Sequence, residues 1–168
     1  GLPVVDGSAG VERREGDPHV WVAPRHVEQM AIQTGAALAE VLPGHRDELQ
    51  ANLTAFRAEI DALDQEIRAL LADKTGRKFL VFHPAWGYFA EAYGLEQVAI
   101  EHEHKEPDAH ELGELIEQAR EEKVGVVFVQ PQFDPASAEL LASEIGARVE
   151  PLDPLAYDWP ANLRRAAR

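Results

Sequence analysis

Leu49, Leu53, Phe56, Ile60, Leu63, Ile67 and Leu70 recur at spacings of 4, 3, 4, 3, 4 and 3 residues. Such spacing gathers every apolar side chain onto one stripe of an α-helix, and predicts a single helix over residues 45–74, about 45 Å long at 1.5 Å per residue. Two arrangements satisfy a stripe of this kind. It can be the seam of a helical dimer, or it can lie across a globular body and become part of that body's core. No second helix of comparable regularity is visible to act as an intramolecular coiled-coil partner.

The flanking segments favour a body. Upstream, Val27, Met30, Ala31, Thr34, Leu38, Ala39 and Val41 recur at helical intervals between Pro24 and the Pro43-Gly44 stop, while residues 1–18 read as an irregular lead-in punctuated by glycine and proline. Downstream of Gly76 the period changes. Four short apolar runs follow, Phe79 to Phe82, Val98 to Ile100, Val124 to Val129 and Ala147 to Leu152, separated by helical stretches near 85–93, 109–123 and 135–146, with a last one near 160–167. Strands alternating with helices predict an α/β fold, a four-stranded parallel sheet with flanking helices and right-handed crossovers. The long helix divides the chain into a lead-in (1–44), a connector (45–74) and an α/β unit (75–168).

Composition narrows the partners. The chain of 168 residues carries 30 Asp and Glu against 16 Lys and Arg, a net charge of −14, which argues against nucleic acid and anionic membrane surfaces. With no cysteine, disulfides, thiolate metal sites and cysteine nucleophiles are excluded, so any metal must be held by His, Asp or Glu. No apolar run approaches the ~20 residues of a membrane span, so insertion into a bilayer is not expected. The start lacks both Met and the regions of a signal peptide.

In open parallel sheets ligands bind beyond the carboxyl ends of the strands. The residues that follow the four apolar runs are His83, Glu101, Gln130 and Asp153. His83, before Pro84 and an aromatic run, reads either as a helix-entry histidine bonded to backbone or as a metal ligand or base. Asp153, in Leu152-Asp153-Pro154-Leu155, reads as a turn or cap, or as a hard oxygen ligand which, beside an imidazole, suits zinc or manganese. His19, in Asp17-Pro18-His19-Val20-Trp21, is a third candidate just ahead of the first helix. The stretch Glu101 to His110, with His102, His104 and His110, reads as a solvated charged loop or as a loop that gathers metal weakly.

Walker, dinucleotide-binding, serine-elbow and His-Glu-x-x-His signatures are absent. An enzyme reading survives only as a metal-dependent hydrolase using His83, Asp153 and Glu101 around an activated water.

Taken in order, Asp17-Pro18-His19-Val20-Trp21, the long helix, Phe82-His83-Pro84-Ala85-Trp86-Gly87-Tyr88-Phe89-Ala90-Glu91-Ala92-Tyr93-Gly94-Leu95 and Leu152-Asp153-Pro154-Leu155 resemble the zinc and manganese solute-binding proteins of ABC importers. The likeness covers the whole chain and is to the carboxyl-terminal portion of such proteins. It implies one lobe of a bilobal protein behind a long connecting helix, with metal captured in the cleft and handed to a membrane permease without chemical turnover. It also implies a periplasmic or cell-envelope location. Residue by residue, it assigns His19, His83 and Asp153 as metal ligands. Manganese-type relatives carry Glu where this chain has His83, so the resemblance favours zinc. A first lobe with its own histidine ligand has no counterpart before Gly1, which implies three of four ligands, weakened zinc binding, and a 25–42 helix whose apolar face is left exposed or covered by self-association.

Overall fold

A computed structural model of the chain describes residues 4–14, 16–101, 105 and 107–168. A single 3-10 turn at Val20–Val22 leads into helix α1 (Pro24–Val41), and a second at Pro43–His45 leads into the long helix α2 (Arg46–Leu71). Then come β1 (Lys78–Val81), α3 (Gly87–Tyr93), β2 (Glu96–Ala99), α4 (Ala109–Glu121), β3 (Val126–Val129), α5 (Ala136–Ile145), β4 (Arg148–Pro151) and α6 (Trp159–Ala166). All four expected strands and all six expected helices form.

Local chemistry sets the boundaries. Pro24 opens α1 at a position where its missing N–H costs nothing. Asp108 caps α4 by accepting from the backbone of His110 and Glu111, and Glu111 returns a bond to the Asp108 N–H. Helix α3 ends where Gly94 adopts φ 68°, a left-handed conformation that a residue with a Cβ rarely adopts.

The strands are parallel, in the order β2-β1-β3-β4. Leaving β1, the chain goes first to one side, to β2, and then returns across to β3, so the order reverses between β1 and β3. Alternate residues of the strands feed two cores. Leu80, Phe82 and Val127 face Ala119, Ala138 and Leu141 of α4 and α5. Val81 faces Leu63, Ile67 and Leu71 of α2, Trp86 and Phe89 beside and within α3, and Leu163 of α6. This second core also takes in Val11, Val20, Val22 and Ala23 from the lead-in.

The long stripe serves two purposes. In its second half Ile60, Leu63 and Ile67 are buried and Leu70 is partly buried against the same core, so they are not available to a dimer partner, which removes the coiled-coil reading for that half. Its first half runs beside α1: Gly35 lies against Leu53, where an added Cβ would come within 3.3 Å of the Leu53 Cδ2. Part of the apolar face of α1 is therefore covered by α2, while Ile32, Leu38, Val41 and Phe56 remain exposed.

A buried carboxylate fastens α1, α2 and α3 together. Asp64, in the middle of the α2 core stripe, accepts from the Tyr93 hydroxyl at 2.9 Å and from the Arg68 Nε at 3.0 Å, and Arg25 Nε lies 3.4 Å away. Arg25 also meets Asp61 and Glu28, and Glu28 meets Arg57.

Candidate metal centre

The carboxyl ends of the strands carry the residues expected there. His83 follows β1, and its ring meets that of His19 edge to face, with centroids 5.3 Å apart. Each imidazole is tied at Nδ1 to a carboxylate: His19 to Asp17 Oδ1 at 2.7 Å and His83 to Glu101 Oε2 at 3.0 Å. Both rings are largely buried, with 14% of each side chain exposed.

Asp17 is positioned by the loop before α1. Its Oδ1 accepts from the backbone N–H of His19 as well as from the ring, and its own carbonyl accepts from the Tyr88 hydroxyl at 3.0 Å. Burial pushes the Asp17 carboxyl up, but the ring and backbone hydrogen bonds from His19, helped by the charge of Arg14, outweigh burial and hold it below its ordinary value. An ionised carboxylate only accepts, so Nδ1 of His19 carries the ring hydrogen and Nε2 is left as the basic nitrogen. A carboxylate on Nδ1 is the usual support of a metal-binding histidine, fixing its tautomer and raising its basicity.

His83 is held at several points. Its main chain is gripped by the Gln130 side chain, and its ring lies nearly parallel to that of Phe133, with centroids 5.0 Å apart and planes 18° apart. Trp21 joins the His19 loop to the β4–α6 connection: its indole N–H donates to the Pro154 carbonyl, and Trp159 donates to the Trp21 carbonyl, both at 2.8 Å.

The third expected ligand is placed differently. Asp153 lies at the same edge, beside Pro154, but its Oδ1 accepts from Gln132 Nε2 at 2.8 Å and from the backbone N–H of Leu155 at 2.9 Å. The turn role and the strand-end position therefore coexist. Among the described residues no group of three or more His, Asp or Glu side chains is disposed to hold a metal ion. The structure thus brings His19 and His83 together and leaves the Asp153 carboxylate tied to Gln132 of the β3–α5 connection and to the Leu155 backbone. His102 and His104 lie outside the described residues; His110 is exposed on α4, 3.5 Å from Glu114.

In sequence Glu101 is a strand-end carboxylate and Asp17 one residue of a loop motif; that each is the Nδ1 partner of a histidine emerges only in the fold. The spacing of Asp17 and His19, two residues apart, was the available signal for one of them. Gln132 and Phe133 gave none.

Among the described residues no helix is long and apolar enough to cross a membrane. Residues 2–166 match the family described as zinc-uptake complex component A, periplasmic. The high-affinity zinc uptake system protein ZnuA of Yersinia pestis is 33% identical over 143 residues, which are 84% of this chain and 45% of that protein. The Bacillus subtilis protein of the same name is 32% identical over 141 residues, 83% of this chain and 44% of that protein. A crystal structure of ZnuA superposes with a TM-score of 0.95 at 45% identity, covering 97% of this chain and 66% of the other. A zinc-bound deletion mutant of ZnuA gives 0.90 at 45% identity over 97% and 65%. The chain spans less than half the length of these two full relatives, and by its match from end to end it belongs to the periplasmic zinc-uptake component A (ZnuA) family.

Proposed function

We propose that this chain is the carboxyl-terminal, zinc-capturing portion of a periplasmic solute-binding protein that delivers zinc to a membrane ABC permease. The observation that carries the reading is the convergence of His19 and His83, with ring centroids 5.3 Å apart and each Nδ1 on a carboxylate. Two imidazoles supported in this way suit zinc, which favours nitrogen ligands more than manganese does. Asp153 is the proposed third ligand; its carboxylate would exchange Gln132 for the ion. Residues 45–74 are the proposed connector to a further lobe, and residues 1–44 a lead-in loop and helix that belong with that lobe. Zinc is cargo here, bound and released without turnover. Because imidazoles bind metal only when neutral, acidification favours release.

The family is one of zinc-uptake components and not of enzymes. In the hydrolase alternative Glu101 would act at an activated water, whereas its Oε2 lies 3.0 Å from the His83 Nδ1. The test is a zinc titration of this chain against a competing chelator, repeated with His19→Ala and His83→Ala. The reading expects one bound zinc and a loss of at least about tenfold in each variant. Unchanged affinity in both variants refutes it.

A further inference from the structure

We infer that Gln130 is the positioning residue that holds His83 ready for the metal. It follows β3, and its side chain is 1% exposed. Both ends of its amide are spent on one residue: Oε1 accepts from the His83 backbone N–H at 3.0 Å, and Nε2 donates to the His83 carbonyl at 2.6 Å. This is the pairing that a neighbouring strand would give, made by a side chain at the level where the strands part. The preceding bond, Phe82 N–H to the Phe128 carbonyl at 2.9 Å, is still main chain to main chain. Beyond it the chain turns away at Pro84 and Pro131, and the Gln130 amide extends the β1–β3 ladder by one residue.

The location matters because the strand order reverses between β1 and β3, which opens the crevice where such folds bind ligands. A histidine placed there has left its strand, and without a substitute partner its main chain would be free to shift. Few side chains can supply one. The group must be planar, with a donor and an acceptor side by side, and must reach across from the next strand; a carboxylate lacks the donor and an aliphatic chain lacks both. The Gln130 carbonyl also accepts from the Phe133 N–H at 3.1 Å, closing a turn that carries the Phe133 ring onto the face of His83. One four-residue turn thus fixes the main chain of His83 and covers its ring, while Glu101 fixes the tautomer from β2. A metal site needs this support, because a ligand that wanders must be ordered again at each binding event.

The inference rests on the zinc-capture reading of His83, and one set of measurements separates the two. Zinc affinity is measured by chelator competition for the unaltered chain, Gln130→Met, Gln130→Glu, His83→Ala and the double variant Gln130→Met/His83→Ala, at a temperature well below each unfolding transition. Gln130→Met is expected to weaken zinc binding about 10- to 100-fold, the range found when residues that orient metal ligands are lost. Gln130→Glu keeps the shape and the acceptor for the His83 N–H, and is expected to lose less. In the His83→Ala background, Gln130→Met is expected to add nothing, because its effect runs through His83. Equal affinities for the unaltered chain and both single Gln130 variants overturn the inference. So does a loss from Gln130→Met that persists in full without His83, which would make Gln130 a general structural residue. If Gln130→Met does not fold, Gln130→Glu decides alone, by the same comparison with and without His83. Unchanged affinity in His83→Ala overturns the zinc reading itself, whatever Gln130 does.

Discussion

Asp17 Oδ1 accepts two hydrogen bonds from one residue, His19, at 2.9 Å from its backbone N–H and 2.7 Å from its ring. The carboxylate therefore fixes both where the histidine sits and which nitrogen carries its hydrogen. The Asp17 carboxyl is held below its ordinary value of 3.8. A group whose folded value is depressed stabilises the fold above its unfolded pKa and loses that contribution as pH falls through the folded one. Asp17→Asn should cost about 1 kcal/mol at neutral pH, where an amide replaces an ionic acceptor. That difference should begin to shrink below about pH 4, where the unfolded carboxyl takes up its proton, and vanish once pH has fallen through the lower folded value. Urea unfolding of both proteins across this range is the measurement, and a difference that stays constant with pH refutes the assignment.

Glu101 plays the corresponding part for His83, across 3.0 Å. Glu101→Gln keeps the volume of the side chain but removes the charge, and its amide can present a donor where Nδ1–H needs an acceptor. Zinc affinity should fall about 10- to 100-fold. Isothermal titration of the two proteins reads the loss, and an unchanged affinity would count against a role for Glu101 in orienting the ring.

Much of this was legible in the sequence, for reasons that differ from element to element. The strands and helices were readable because burial imposes its period on the chain: Leu80 and Phe82 must face one core and Val81 the other. The edge of the sheet that carries His83, Glu101, Gln130 and Asp153 was readable because parallel topology puts every strand's carboxyl end on one side. What a given residue does at that edge was not readable, because it depends on pairs formed in space. Nothing local to Gln130 says that its amide will close on His83, and nothing in Leu152-Asp153-Pro154 says that Gln132 will hold the Asp153 carboxylate. The same holds for Asp64, which nothing in the spacing of the α2 stripe singles out and which is in the fold a buried acceptor shared by three elements.

That shared acceptor gives a stability prediction. Burial, with the Asp64 charge beside it, pushes the Tyr93 hydroxyl well above its ordinary range, so it remains a donor at all working pH values. Asp64→Leu would leave the Tyr93 hydroxyl without its partner in the core, whereas Arg25 and Arg68 are half exposed and can turn to water. The expected loss is about 2–4 kcal/mol, and Tyr93→Phe should recover part of it when added to Asp64→Leu. Chemical denaturation of the single and double variants checks this; independent, additive effects would show that the two side chains do not depend on one another.

Gly87 opens α3 and lies hard against the loop that carries His19. A Cβ added there would come within 2.8 Å of Asp17 Oδ2 and 3.0 Å of Arg14 Nε. Arg14 is half exposed and can move aside, but Asp17 is largely enclosed and held by His19, so the displacement falls on His19, a proposed zinc ligand. Gly87→Ala should destabilise the chain by about 1–3 kcal/mol by overpacking, and should also weaken zinc binding. An alanine that lowers the unfolding temperature while leaving zinc affinity intact would show that Asp17 is not coupled to the metal site through this contact.

The two halves of the α2 stripe should respond differently to substitution. Leu63 is 2% exposed within the core shared with Trp86 and Leu163, so Leu63→Ala removes buried contacts and leaves a cavity, at a cost of about 2–5 kcal/mol. Phe56 is 40% exposed on the outer half of the same helix, where a polar side chain can reach water, and Phe56→Glu should cost less than about 1 kcal/mol. A helical dimer seam would make both positions sensitive and would tie stability to protein concentration. Denaturation of the two variants at two concentrations distinguishes these cases: unequal costs, independent of concentration, are expected for a helix that packs on its own chain, and equal, concentration-dependent costs would restore the dimer.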